Sequence, residues 1–317
     1  MLLALLKLRA AFGGQVTFRE AVSTENNIVH TPYILRQSLE PIPNTITNSM
    51  ITNTIYRSMH VVPELQRQFR RVVLRLPHRQ RLVNHFGQKL WVDPSELHGF
   101  YLYYEQEYDD YIFKFLSTQI AKYQYLRALD LGANIGIYTV FLATQIKRVD
   151  AFEPEPKVLE RLQVNLKLNG LTNVTVHNSC VGKASGTVTF IPPGISNQGI
   201  GAIAAATEQG VQRSCISLDD FFSKLPQEAC LIKMDIEGGE WLALQGGQRV
   251  LTHRKAPLSM LLEVHPEEIQ RLGGSVSEVR SLLESMNLQV KGLAPTGLES
   301  LDSGKTFRFW WATSEDF

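Results

Sequence analysis

The stretch Leu126–Thr139, LRALDLGANIGIYT, restricts the fold more than any other part of the 317-residue chain. It reads as a buried strand (Leu126, Ala128, Leu129) ending in an acid, Asp130, then a tight turn, Gly132-Ala133-Asn134-Ile135-Gly136, then an apolar helix. A strand–turn–helix unit of this kind suits a nucleotide-like cofactor. Small residues let the backbone approach the ligand, and the helix start offers free N–H groups. Asn134 is one of the few non-glycine residues that tolerates a left-handed backbone, so it can stand between the two glycines. Asp130, Gly132, Asn134, Gly136 and Thr139 are the candidate cofactor contacts of this unit. A dinucleotide site would require G-x-G-x-x-G, whose third glycine permits close helix–strand packing; here Ile137 takes that position.

From Leu126 onward strand-like and helix-like segments alternate, which predicts an α/β protein with a mostly parallel sheet covered on both faces. The expected strands are Leu126–Leu131, Arg148–Glu153, Val174–Cys180, Cys230–Asp235 and Leu258–His265, and the expected helices Gly136–Gln145, Pro156–Asn169, Leu218–Lys224, Trp241–Val250 and Val276–Met286. Pro156 near the start and Gly170 past the end punctuate the second helix. Leu288–Leu293 and Thr306–Thr313 read as an antiparallel pair. An extra strand, Gly186–Ile191, leads into a Gly/Ala-rich loop, PPGISNQGIGAIAAA, expected to be mobile. Upstream, Leu82–Asp93 looks like strand–turn–strand around Gly87. A helix begins at about Tyr108, with Tyr111, Ile112, Phe115 and Leu116 as its apolar stripe and an aromatic cluster (Phe100, Tyr101, Tyr103, Tyr104) just before it, beside Glu105.

Ligands of open α/β sheets bind beyond the carboxyl ends of the strands, so polar residues there are the site candidates. Glu153 ends the second strand 23 positions after Asp130, close to the ~20-residue separation at which an acid grasps a ribose hydroxyl pair. Asp150 begins that strand and points to the other end. Asn178 and Ser179 end the third strand and can meet an adenine edge or form a turn. The fourth strand ends in KMDIEGGEW, with Asp235, Glu237 and Glu240 inside six residues. Like charges repel when buried, so packing alone does not select such a group, although Glu240 also suits a helix start. The fifth strand ends LLEVHP, which sets Glu263 and His265 two apart on one face of the same rim as a candidate general base or metal ligand.

Net charge is +1, so no global attraction to nucleic acid is implied. The three cysteines, Cys180, Cys215 and Cys230, are scattered, which supports neither a zinc site nor a disulfide framework and fits a cytoplasmic setting. The opening MLLALLKLRAAFGG is too short an apolar run to span a bilayer, and its charges come after that run rather than before it. Residues 15–63 hold too many Pro and Asn for a long period. Arg57–Arg81 is rich in arginine, read as a solvated helix face before an acidic-ligand contact.

The runs DLGANIGIYT, FEPEP, LKLNGLTNV, SLDDFF, IKMDIEGGEWLALQGG and LLEVHPE, in this order, resemble the FkbM-type methyltransferases that depend on S-adenosylmethionine (SAM). The G-x-N-x-G turn behind Asp130 is similar to motif I of class I SAM methyltransferases, and the D-x-E-G-x-E element is the more specific sign. The resemblance covers about 82–317 and leaves 1–81 as an accessory region. It implies a Rossmann-like, seven-stranded sheet with an antiparallel last strand, SAM as cofactor, and a border to that cofactor made by Tyr104 and Glu105. The expected function is O-methylation of a sugar, glycan or natural-product hydroxyl. Asp235, Glu237 and His265 would do the chemistry, and Glu153 and Ser179 would add to the cofactor contacts. A divalent ion held by Asp235, Glu237 and Glu263 is a further candidate. The rival readings are a SAM-binding protein without catalysis and a nicotinamide-dependent oxidoreductase.

Overall fold

The alternation that begins at Leu126 folds into one twisted sheet. In the computed structural model the described residues are 80–106, 108–194 and 201–314, with a few helical positions at 69–71 and 73. The sequence readings of the N-terminal run, of residues 15–63 and of most of the arginine-rich stretch fall outside them, as do residues 195–200 of the Gly/Ala loop. The sheet and the helices that cover it belong to the unit Val73–Phe317.

A hairpin comes first, β1 (Arg81–His85) and β2 (Gln88–Val92). Its two-residue turn is Phe86-Gly87, both at positive φ, as a turn matched to strand twist requires. A short helix, α1 (Leu97–Phe100), runs into a π-turn at Tyr101–Glu105, and then α2 (Asp110–Tyr123). The sheet units come next: β3 (Arg127–Leu131), α3 (Ile137–Ala143), β4 (Arg148–Phe152), α4 (Pro156–Leu168), β5 (Val174–His177), β6 (Cys180–Val181), β7 (Gly186–Ile191), β8 (Ala202–Ile203), β9 (Val211–Ile216), α5 (Leu218–Phe222), β10 (Cys230–Met234), α6 (Glu240–Gln245), α7 (Gln248–Thr252), β11 (Leu258–Glu263), α8 (Pro266–Arg271), α9 (Val276–Ser285), β12 (Leu288–Ala294), β13 (Gly297–Glu299) and β14 (Phe309–Ser314).

The main sheet has the order β13-β12-β14-β11-β10-β3-β4-β5. β5, β4, β3, β10 and β11 are parallel, and β14 runs antiparallel between β11 and β12. This is the expected sheet with an antiparallel last strand, extended at one edge by the hairpin strand β13. Because the centre of the sheet is covered on both faces, β3, β10 and β11 are continuously buried, and alternate residues serve two cores. Ala128, Leu231 and Trp311 face α2, α3 and α4, where Phe113, Leu116, Phe141 and Leu162 pack. Leu129, Ile232, Met260 and Trp310 face α5, α6 and α9, where Phe221, Leu244, Val279 and Leu283 pack. Serine caps start two of the helices: Ser217 Oγ accepts from the Asp220 N–H at 3.1 Å, and Ser275 Oγ from Glu278 at 3.2 Å.

Three segments differ from the sequence expectation. Trp241–Val250 is not one helix but α6 and α7, broken at Gly246-Gly247. A Cβ on Gly246 would lie 2.2 Å from the Gly182 carbonyl oxygen, so glycine there serves close packing at the expense of helix continuity. Val174–Cys180 divides into β5 and β6, because β6 leaves the main sheet to pair with β9 in a second sheet of order β6-β9-β7-β8. His265 belongs to the start of α8 rather than to the fifth strand, since Pro266 at the first helical position and Glu267 and Glu268 behind it favour a helix start.

Two asparagines of the α4 region fix the β1–β2 hairpin over the sheet. Asn169 accepts from the Lys89 N–H at 2.9 Å and donates to the Lys89 carbonyl at 2.7 Å. Asn165, fully buried, accepts from the Trp91 N–H at 2.7 Å and donates to the Ile135 carbonyl at 2.8 Å, joining the hairpin to the glycine turn. Asn165→Leu keeps the volume and strands both backbone groups, each at a cost of ~1–3 kcal/mol. The expected loss is about 2 kcal/mol or more in urea denaturation, with a smaller loss for Asn169→Leu at its more exposed position. An unchanged midpoint for Asn165→Leu would mean that the clamp contributes nothing to stability.

Candidate functional site

The turn after β3 is built by contacts on both sides. Gly132, at φ +79°, lies where a Cβ would be 1.9 Å from the Asp235 carbonyl oxygen; Gly136, at φ +91°, where one would be 2.4 Å from Leu162 Cδ1. Asn134 between them is left-handed at φ +49°, as its residue type allows. The N–H groups of the turn itself, residues 132–136, are committed to protein acceptors. Gly132 and Ala133 donate to the Phe152 carbonyl at 3.1 and 2.9 Å, Asn134 to Glu153 Oε2 at 3.0 Å, Ile135 to Asn134 Oδ1 at 2.7 Å, and Gly136 to the Ala133 carbonyl at 2.9 Å. The turn therefore offers a shape, and its donors are spent holding β4 and Glu153.

A cleft opens above this turn, at the carboxyl ends of β3, β4 and β10. Six of the sequence candidates line it: Gly132, Asn134, Glu153, Ser179, Asp235 and Glu237. Glu153 is buried, accepting from Asn134 N–H through one oxygen and from the Glu155 N–H at 2.8 Å through the other. Burial pushes its carboxyl up to about 7 in spite of these donors. Asn178 is exposed and donates to the Glu153 carbonyl at 2.9 Å, a turn role; Ser179 Oγ donates to the Cys180 carbonyl at 2.8 Å. Asp150 pairs with Arg127 and with His177, the latter at 2.9 Å, away from the cleft lining, as its place on the strand suggests.

Other candidates lie outside the lining. Asp130 and Thr139 are fully buried and bonded to each other at 2.5 Å, under the turn. Tyr104 is buried, its ring centroid 5.1 Å from that of Phe100 and 4.9 Å from that of Tyr103, and neither it nor Glu105 lines the cleft. An aromatic–acid pair four residues later stands at the site instead. Tyr108 lines the cleft and packs on His98 with ring centroids 5.5 Å apart, and Asp109 accepts from the Tyr138 hydroxyl at 2.9 Å. Burial raises the Asp109 carboxyl to about 6.

Sequence reasoning also missed Lys233. Its ammonium lies 3.3 Å from Asp130 Oδ1 and 3.5 Å from Asp235 Oδ2, and donates to the Gly132 carbonyl at 3.1 Å. A lysine inside the apolar strand CLIKM was the available signal, since a buried ammonium needs paired carboxylates. Burial pulls its pKa down, but Asp130 and Asp235 more than reverse this and keep it charged. The same cation, with His265, holds the Asp235 carboxyl below its ordinary value in spite of burial.

At the rim, His265 sits among four carboxylates. Nε2 is 3.3 Å from Glu263, 3.6 Å from Glu237 and 3.9 Å from Asp235, while Nδ1 is 3.6 Å from the buried Glu240. Burial lowers the imidazole pKa, yet the surrounding acids lift it to about 11. Glu263 is bonded at 2.5 Å to Arg308. Glu237, left-handed at φ +54°, is raised to about 7 by burial and by its neighbour Asp235. The metal set expected from sequence is regrouped: Asp235, Glu263 and His265 bring donor atoms within 4.8 Å of one another, and Glu237 stands outside that set. Among the described residues no helix is long and apolar enough to cross a membrane.

Among solved structures, the chain is similar to a methyltransferase FkbM from Methylobacillus flagellatus KT, at 20% identity and a TM-score of 0.38, over 60% of this chain and 43% of that one. It thus spans less than half the length of that protein. An rRNA methylase from Streptococcus thermophilus matches at 12% identity and a TM-score of 0.35, over 63% of this chain and 93% of that one. TYW2 of M. jannaschii, in complex with AdoMet, matches at 13% identity and a TM-score of 0.38, over 74% and 83%. No curated protein matches the sequence. The Methyltransferase FkbM domain matches residues 130–290, just over half of the chain, from the acid at the end of β3 to the middle of β12. The chain belongs to the FkbM methyltransferase family.

Proposed function

We propose that this protein transfers the methyl group of SAM to a hydroxyl oxygen of a sugar, glycan or natural product. The observation that carries the proposal is the cleft itself, which joins the glycine turn and Glu153 to Asp235 and Glu237 in one cavity. SAM fits the groups present. A carboxylate has lone pairs beyond the two that Glu153 commits to backbone N–H groups, so it can still accept from ribose hydroxyls. The ring of Tyr108 and the acids of the rim suit a sulfonium cation. A dinucleotide fits badly, because Ile137 stands where its loop needs a third glycine and its pyrophosphate would lie beside the buried acid Glu153.

The reaction is an in-line displacement at carbon. The hydroxyl oxygen forms a bond to the methyl carbon as the carbon–sulfur bond breaks, its electron pair staying on sulfur. The hydroxyl proton passes to a carboxylate. Orientation supplies roughly 7–11 kcal/mol in favourable cases, and a positioned base ~10²–10⁴-fold. Asp235, kept ionised by Lys233, is assigned to orienting the acceptor. Glu237, near neutrality, is assigned to taking its proton. His265 holds a proton tightly in this ring of acids, which gives it the task of steadying Asp235 and Glu237 rather than of a base.

Three outcomes are expected. Asp235→Asn and Glu237→Gln should each lower kcat by ~10²-fold or more while SAM affinity by calorimetry stays within about threefold (roughly 0.7 kcal/mol). Full turnover in Asp235→Asn would sink the assignment. Because Glu153 has its carboxyl near 7 when unliganded, and only the carboxylate accepts from both ribose hydroxyls, SAM should bind less tightly as pH falls below 7. The limit is tenfold per pH unit, and Glu153→Gln should flatten the dependence. A radiolabelled methyl transfer screen over glycans, lipids and polyketides identifies the acceptor class; tight SAM binding with no labelled acceptor would favour a binding protein.

A further inference from the structure

The rim around His265 is arranged in two layers. Three donors face one another: Asp235, Glu263 and the imidazole of His265. Each has its own partner behind it. Lys233 stands 3.5 Å from Asp235 Oδ2, Arg308 bonds Glu263 Oε1 at 2.5 Å, and Glu240 lies 3.6 Å from His265 Nδ1. Glu240 is wholly buried, takes the Ile236 N–H at 2.9 Å through one oxygen, and has no hydrogen-bond partner at the other. At 3.6 Å Glu240 stops short of a hydrogen bond to Nδ1; a carboxylate that closes on the far nitrogen of a histidine fixes which nitrogen points forward and is the outer support of metal-bound imidazoles.

The distances fit the same arrangement. Nε2 lies 3.3 to 3.9 Å from its three carboxylate neighbours, beyond a good N–H···O length of ~2.7–3.2 Å. A cation roughly 2.1 Å from each ligand places neighbouring donors about 3.0–3.4 Å apart; the three donors here already lie within 4.8 Å of one another, so side-chain rotations draw the set together.

We propose that Asp235, Glu263 and His265 Nε2 bind a divalent cation of the Mn²⁺ or Zn²⁺ class, which displaces to solvent the proton that Nε2 carries in the metal-free protein, with Glu240 as the positioning residue of His265. One imidazole and two carboxylates suit borderline ions better than Ca²⁺. The ion lies beside the cleft through Asp235, where its open positions meet an acceptor hydroxyl; that role rests on the methyl-transfer reading, whereas binding of the ion does not.

Mn²⁺ titration of the metal-stripped full chain, monitored by the paramagnetic resonance of free Mn²⁺, tests this, with SAM calorimetry on the same samples. One saturable site is expected. It should be lost in His265→Ala and Glu263→Gln and weakened ~10–100-fold in Glu240→Gln, with SAM binding retained. Glu240→Gln and Glu263→Gln carry the comparison should His265→Ala fail to fold. No Mn²⁺ or Zn²⁺ binding by the wild type at millimolar ion, or equal binding in all variants, overturns the site. Loss of SAM binding in the wild type would instead overturn the methyl-transfer reading, so the two failures are separable.

Discussion

One buried lysine governs how the two halves of the cleft meet. Lys233 stands on β10 directly opposite Asp130 on β3, and its ammonium reaches Asp130, Asp235 and the Gly132 carbonyl together. An isolated ammonium at this depth costs several kcal/mol, and two carboxylates with a carbonyl are what offset it. Such a group adds little net stability over an apolar core, but it fixes geometry. The turn on one strand and the acid on the next cannot slide apart without stranding a charge. Asp130 and Thr139, which sequence reasoning placed against a cofactor, belong to this support beneath the turn.

The turn itself depends on that constraint. Gly132 must be glycine because the Asp235 carbonyl lies against it, so the β3 turn and the β10 acid touch through backbone as well as through Lys233. With the N–H groups of residues 132–136 spent on Phe152, Glu153 and the turn, what this loop presents to the cleft is its shape and the carboxylate of Glu153. A loop of the dinucleotide kind keeps its donors for phosphate. This one uses them to hold an acid in place, which suits a donor that carries positive charge.

The sheet was legible because its strands are apolar on both faces and its helices carry ordinary punctuation, Pro156 and Gly170 around α4 among them. Glu153, Asp235, Glu237, Glu263 and His265 were legible as polar residues at strand ends, where an open sheet puts its ligands. What the pattern could not reveal was tertiary. Gly246 breaks a helix for the sake of a carbonyl on another element. The choice between Tyr104-Glu105 and Tyr108-Asp109 was hidden because a π-turn and left-handed residues at Gln106 and Asp109 interrupt any period through that stretch. An aromatic run with acids at two spacings does not say which pair faces the cleft. Lys233 was overlooked because a lysine in a strand is ordinarily solvated, and only the register with Asp130 shows otherwise.

The rim acids illustrate how one motif yields unlike groups. Asp235 and Glu237 are two residues apart, yet Asp235 has Lys233 at 3.5 Å and is held ionised, whereas Glu237 has burial and a negative neighbour and rises to about 7. Environments that push two carboxyls apart are how a single site separates an orienting anion from a proton acceptor. The low side of the split rests on Lys233 and His265 beside Asp235, the high side on burial and on Asp235 beside Glu237. The buried cation thus holds Asp235 in place and lowers its proton affinity, and under the proposed methyl transfer the D-x-E spacing works together with the lysine two residues before it.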